Sequence, residues 1–135
     1  MAIKYRSTKN INKAKLHDLF LSNKWASGND PEKLRKALKD SHHVVSAWDG
    51  DVLVGVMNAL SDGVMNVFFL YLVVHPRYQK KGIGRKMVEL MLHKYRDYAC
   101  KMVIAYDEAR EFFQKCGFEV GKNNVPMFVT YSTRY

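Results

Sequence analysis

The feature that most constrains this chain is a run of eight apolar residues, VFFLYLVV (Val67–Val74), closed by His75-Pro76. A strand with no polar alternation must be covered on both faces, so it belongs in the middle of a sheet. Four residues beyond it comes QKKGIG (Gln79–Gly84), two glycines among two lysines. From Gly82 to Tyr98, the residues Ile83, Met87, Leu90, Met91, Lys94, Tyr95 and Tyr98 recur on roughly one side of a helix. The chain must therefore fold around a buried strand that leads through a glycine turn into an amphipathic helix.

The remaining segments build outward from that unit. IKYRS (Ile3–Ser7) alternates and predicts a first strand. Residues 12–22 place Leu16, Leu19 and Phe20 at helical spacing. In NDPEKLRKALKD, Asp30 is a helix cap, Pro31 the first helical residue, and Leu34, Ala37 and Leu38 share a face. HVVSAW and DVLVGVMNAL flank Asp49-Gly50, a hairpin signal, and Ser61-Asp62-Gly63 reads as another turn. MVIAY (Met102–Tyr106) predicts a strand, EAREFFQKC a short helix ended by Gly117, and FEV and MFVTYS two last strands. The expected order is β-α-α-β-β-β-α-β-α-β-β: an α/β chain with a mixed sheet and helices on both faces, in one domain over residues 1–135.

Composition narrows the function classes. With 47% hydrophobic residues the chain can bury a core. Its apolar runs are too short to span a bilayer, and MAIKYRSTKN lacks the apolar stretch of a signal peptide. Two cysteines, Cys100 and Cys116, do not make a disulfide scaffold, so a soluble cytoplasmic protein with reduced thiols is expected. The net charge of +9 attracts polyanions: nucleic acid, anionic lipid or phosphorylated small molecules. No helix-turn-helix, zinc or RNA-binding signature accompanies it.

QKKGIG lies where a strand meets a helix. A helix N-terminus offers unpaired N–H groups and the positive end of the dipole, and glycines let the backbone approach a ligand. Lys80, Lys81, Arg85 and Lys86 add charge at the same place. This is an anion site for a phosphate or pyrophosphate, or else a basic turn relaxed by glycine. It is neither a G-x-G-x-x-G fingerprint nor a Walker A loop.

Two motifs give a family resemblance. Val74-His75-Pro76 followed by Gln79-Lys80-Lys81-Gly82-Ile83-Gly84 resembles the V-x-P … Q/R-x-x-G-x-G/A signature of the GNAT superfamily of N-acetyltransferases. AREFFQKCGFEV (Ala109–Val120) resembles that family's A-x-x-F-Y-x-K-x-G-F-E segment. The first 40 residues agree in order of elements only. The resemblance implies a sheet splayed at strands four and five, with acetyl-CoA as cosubstrate, no metal, a small amine as acceptor, and a possible homodimer. It implies that backbone at Leu72, Val73 and Val74 pairs with the pantetheine arm, and that the Val74 N–H serves the oxyanion. The N–H groups from Lys81 to Lys86 would hold the pyrophosphate, with Lys80, Lys81 and Arg85 assisting. Phe112 and Phe113 would stand beside the cofactor.

The chain departs from that pattern where proton transfer is concerned. Phe113 occupies the usual tyrosine position, and Phe68 the usual glutamate position. Tyr71 and Tyr106 are the nearest replacements; pocket wall or packing is the other role for each. A catalytically silent acyl-CoA-binding protein is the alternative function. His42-His43 are adjacent and so point to opposite faces of a strand, a poor metal pair. His75 reads as a loop residue, Asp62 as a turn residue that could meet an amine, and Cys116 as a packed thiol.

Overall fold

A computed structural model describes residues 2–132, 134 and 135. Its elements are β1 (Ile3–Arg6), α1 (Lys13–Ser22), α2 (Pro31–Lys39), β2 (His43–Asp49), β3 (Val52–Ser61), β4 (Asn66–Val74), α3 (Ile83–Lys94), β5 (Cys100–Val103) and α4 (Arg110–Lys115). The strands form one sheet in the order β1-β2-β3-β4-β5. Every pairing is antiparallel except β4 with β5, which is parallel. The expected mixed sheet with helices on both faces is what forms.

Local chemistry explains the elements. The Asn12 side chain accepts the Ala14 and Lys15 N–H groups at 2.9 and 3.2 Å, which starts α1. Asp30 stands at the N-cap position of α2, but its side chain makes no capping bond, contrary to expectation; Pro31 alone marks the start. The β2–β3 hairpin closes through Gly50 and Asp51, with Gly50 at φ 58°, the left-handed conformation such a turn needs. Asp62 Oδ1 accepts N–H groups from Val64, Met65 and Asn66 at 2.8 to 3.1 Å. Those bonds hold its carboxyl far below the usual carboxylate range and give it a turn-forming role.

Two apolar layers cover the sheet. Leu16, Leu19, Phe20, Leu34 and Leu38 from α1 and α2 bury against Val44, Trp48, Val56, Tyr71 and Val73. Met87, Val88 and Met91 of α3 and Tyr95 just past its end, with Phe113 of α4, bury against Val45, Met57, Val67 and Phe69. Each such large aliphatic or aromatic side chain contributes about 1.5–3 kcal/mol.

β4 reaches both layers by an irregularity. Met57 faces Leu72 and Ala59 faces Phe69, so Leu70 and Tyr71 together oppose Asn58 alone. This is a β-bulge. It reverses the strand: Val67 and Phe69 join the α3 layer, whereas Tyr71 and Val73 join the α1–α2 layer. Buried Asn58 repairs the ladder. Its Oδ1 accepts the Tyr71 N–H at 2.8 Å, and its Nδ2 donates to Ser41 Oγ at 3.0 Å.

Three expectations are corrected. β5 covers Cys100–Val103 and not Met102–Tyr106, because beyond Val103 the chain parts from β4. FEV and MFVTYS are not strands; among the described residues no neighbouring strand meets them, and periodicity alone cannot supply a partner. Ala37 is exposed beside buried Leu34 and Leu38. Gly117 does end α4 as expected, at φ 105°. Among the described residues no helix is long and apolar enough to cross a membrane.

The two histidines at the start of β2 surround Tyr95. His42 Nδ1 lies 2.6 Å from the Tyr95 hydroxyl, and the His43 ring stands edge-on to the Tyr95 ring. Burial, helped by the Lys94 charge, lowers the His43 pKa to about 4. The unfolded chain, with an ordinary histidine near 6.5, therefore binds more protons between those values. Stability is present above pH 6.5 and is lost as pH falls toward 4. In urea titrations across that window, His43→Gln should flatten the pH dependence relative to the parent chain. Asn58→Leu should cost about 2–3 kcal/mol in the same assay, because the Tyr71 N–H and the Ser41 hydroxyl lose their buried partner.

Candidate active site

The parallel pairing of β4 with β5 ends at Phe69 opposite Val103. From there Leu70–Val74 and Ile104–Tyr106 diverge and line the two sides of a cavity of about 680 Å³. The backbone facing this gap follows from register. The His75 N–H donates to the Val54 carbonyl at 2.8 Å, and Val73 faces Val56. Bonded pairs recur every second residue in an antiparallel ladder, so Val73 and His75 turn to β3. Leu72 and Val74 turn their N–H and C=O groups to the side that β5 leaves. Of the three expected pairing positions, Val73 is thus engaged elsewhere.

The Val74 carbonyl confirms the direction. It accepts Asn23 Nδ2 at 2.7 Å and Gln79 Nε2 at 2.9 Å, and the same Gln79 nitrogen lies 3.1 Å from Asn23 Oδ1. The Gln79 side chain is therefore a brace between the end of α1 and the end of β4. Asn23 was not legible in the sequence, because nothing in LSNKW marks the strand it meets.

α3 opens at the same gap. Gly82 is its N-cap at φ 85°, with no side-chain cap and no acidic residue in the first turn. The first helical bond runs from the Lys86 N–H to the Gly82 carbonyl at 3.0 Å. That leaves the N–H groups of Ile83, Gly84 and Arg85 without helical acceptors and takes Lys86 out of the expected set. Lys80 and Arg85 line the cavity, whereas the exposed Lys81 and Lys86 do not. Cations at a helix N-terminus oppose the dipole, and the positive potential they share with it would favour an anion. The Phe112 ring closes on it: a Cβ on Gly84 would lie 3.4 Å from Phe112 and 3.7 Å from Val74. Phe113 is core, stacked edge-on to Phe118.

An aromatic wall stands at the connection from α1 to α2. Tyr71 lies edge-on to Phe20 and Trp25, with centroids at 5.1 and 5.5 Å, and Trp25 lies edge-on to Tyr106 at 6.1 Å. Tyr71 reaches it because the bulge turned its side chain to the α1–α2 layer. Burial raises the Tyr71 pKa above the ordinary phenol value, and the nearby Ser27 hydroxyl works the other way. The Ser27 oxygen itself, buried, has no partner at hydrogen-bond geometry among the described residues. The Tyr106 hydroxyl accepts the Arg134 N–H at 2.6 Å. Tyr78, which also lines the cavity, donates its hydroxyl to Asp49 at 2.7 Å.

The other candidates lie apart. Phe68, Asp62, His42, His43 and Cys116 are not on the cavity wall. His75 Nδ1 accepts the Arg77 N–H at 3.1 Å and shapes the turn after β4. Burial raises the Cys116 thiol pKa, which suits packing and not nucleophilic attack. Among the described residues no three His, Cys, Asp or Glu side chains gather to hold a metal.

Known proteins share this architecture. The description "Acetyltransferase (GNAT) family" matches residues 13–118. The uncharacterized N-acetyltransferase ycf52 of Pyropia yezoensis is 29% identical over 118 residues, covering 83% of this chain and 67% of that protein. A GNAT-family acetyltransferase of Streptococcus pneumoniae superposes with a TM-score of 0.80 at 23% identity, covering 96% of this chain and 100% of the other. An aminoglycoside acetyltransferase from an uncultured soil sample superposes at 0.72 with 20% identity, covering 96% and 97%. The splayed strands, the acid-free start of α3 and the matched span of residues lead to one conclusion: this chain belongs to the GNAT acetyltransferase family.

Proposed function

We propose that residues 1–135 form one N-acetyltransferase domain that uses acetyl-CoA to acetylate a small primary amine by direct attack. The observation that carries this reading is the parting of β4 from β5 after Phe69 and Val103, opposite the uncapped, basic start of α3. The fit can be judged group by group. Ile83, Gly84 and Arg85 offer N–H groups to a pyrophosphate, and Lys80 and Arg85 offer charge. Leu72 and Val74 offer strand backbone to an amide-bearing arm, as an added strand would use it.

When bound, acetyl-CoA supplies a thioester carbonyl that an amine can attack and a thiolate that leaves. The chain's own groups then have distinct tasks. Asn23 and Gln79 occupy the Val74 carbonyl and so fix the peptide plane beyond it, while the Val74 N–H remains to stabilise an oxyanion. Tyr71, a phenol that keeps its proton at neutral pH, stands on the wall of the gap, and its hydroxyl is the proton donor in this reading. Phe113 has none to give. Tyr106 shares the wall, with its oxygen engaged by the Arg134 N–H.

Two measurements test the reading. Gly84→Val places methyls against Phe112 and Val74 at the anion end, and should weaken CoA binding at least tenfold by calorimetry while the melting temperature of the free chain changes little. Unchanged affinity in that folded variant would refute the assignment of the α3 start. Tyr71→Phe should lower kcat by about ten- to a hundredfold with CoA affinity retained, read by thiol release over a panel of amines. CoA binding without turnover on any amine would favour a silent binder instead.

A further inference from the structure

The cavity contains a cation from the chain itself. Arg134 reaches its wall, and its guanidinium lies 4.8 Å from the centre of the Tyr106 ring. The same guanidinium is ion-paired with Glu108. Two backbone bonds hold the residue there: its N–H donates to the Tyr106 hydroxyl at 2.6 Å, and its carbonyl accepts the Ala26 N–H at 2.6 Å. It sits at φ 54°, a conformation that a side-chain-bearing residue keeps only where its surroundings hold it.

The surroundings of that guanidinium are specific. Glu108 is the one acidic residue on the described cavity wall, whose other charged residues are Lys80, Arg85 and Arg134. Beside it stands Tyr106, and Trp25 stands edge-on to Tyr106. An aromatic face next to a carboxylate is the arrangement that attracts ammonium or guanidinium. In a chain of net charge +9, this lone carboxylate is the place on the described wall where a cation is favoured, and Arg134 occupies it.

We propose that Glu108, Tyr106 and Trp25 form a subsite for a second cationic group on the acceptor, and that Arg134 fills it as an internal stand-in until the acceptor displaces it. The acceptor class is then a small amine with an ammonium or guanidinium remote from the nitrogen that is acetylated. The assignment rests on reading the cavity as the acyl-transfer site.

The test compares agmatine, which carries a guanidinium, with hexylamine, which does not. Binding is measured by calorimetry on the full chain saturated with CoA, and acetylation by thiol release. Agmatine should bind at least tenfold more tightly than hexylamine. Glu108→Gln should remove most of that difference while leaving hexylamine and CoA affinity unchanged. Arg134→Ala should tighten agmatine severalfold, seen as a lower KM with little change in kcat, and should not tighten hexylamine. Both side chains are exposed enough that neither substitution endangers the fold. Equal affinities for the two amines, or equal shifts of both in either variant, would overturn the subsite. A failure of CoA to bind would refute the acyl-transfer reading separately, because the calorimetric comparison can be repeated on the free chain.

Discussion

One extra residue in β4 is the constraint from which the site follows. Without the bulge at Leu70–Tyr71, odd-numbered residues from Val67 to Val73 would all face α3, and Tyr71 would sit in that core. With it, Tyr71 turns to Phe20 and Trp25, while Leu72 and Val74 return to the α3 layer. The same break directs which peptide groups β3 takes and which face the gap. An inserted residue leaves a ladder donor unpaired, and a buried side chain has to accept it. Asn58 does so through Oδ1 and ties the bulge to Ser41 beyond the end of α2. A buried asparagine in an otherwise apolar strand is thus the cost of opening the sheet.

The second constraint is electrostatic. A helix N-terminus is ordinarily quieted by an acidic residue or a side-chain cap, and α3 has neither. It gathers Lys80 and Arg85 instead. Each is a small unfavourable term for a surface helix, and an anion bound between them would turn both favourable. Where the segment after β5 meets Trp25 the arrangement is reversed: a carboxylate, aromatic faces and a guanidinium. A polyanionic donor and a cationic acceptor can then enter one cavity without competing for the same charges.

Much of this was legible in the residues. Eight apolar residues closed by His75-Pro76 suit a central strand, and the glycine turn before an amphipathic helix is readable as the start of α3. The bulge was not legible, because VFFLYLVV is apolar throughout and shows no parity to break. The brace of Asn23 and Gln79 was hidden because it joins residues 56 apart in sequence. Arg134 was missed for a related reason. MFVTYS alternates like a strand, so the segment was expected to end in the sheet, whereas its neighbour Arg134 turns into the cavity. Glu108 looked like one acid in a helix start and gained meaning only from what the fold set beside it.

Phe68 lies off the cavity wall and Phe113 is apolar, so neither takes part in proton transfer. On the proposed reading the charges of the cavity are matched in pairs: Lys80 and Arg85 face the anion at the start of α3, and Glu108 faces the remote cation of the acceptor. Neither pair leaves a net field at the reacting nitrogen, so the amine loses its proton to water. Position then carries the transfer, because an acceptor fixed at its far end and a thioester fixed along β4 meet without the entropy cost of a free encounter.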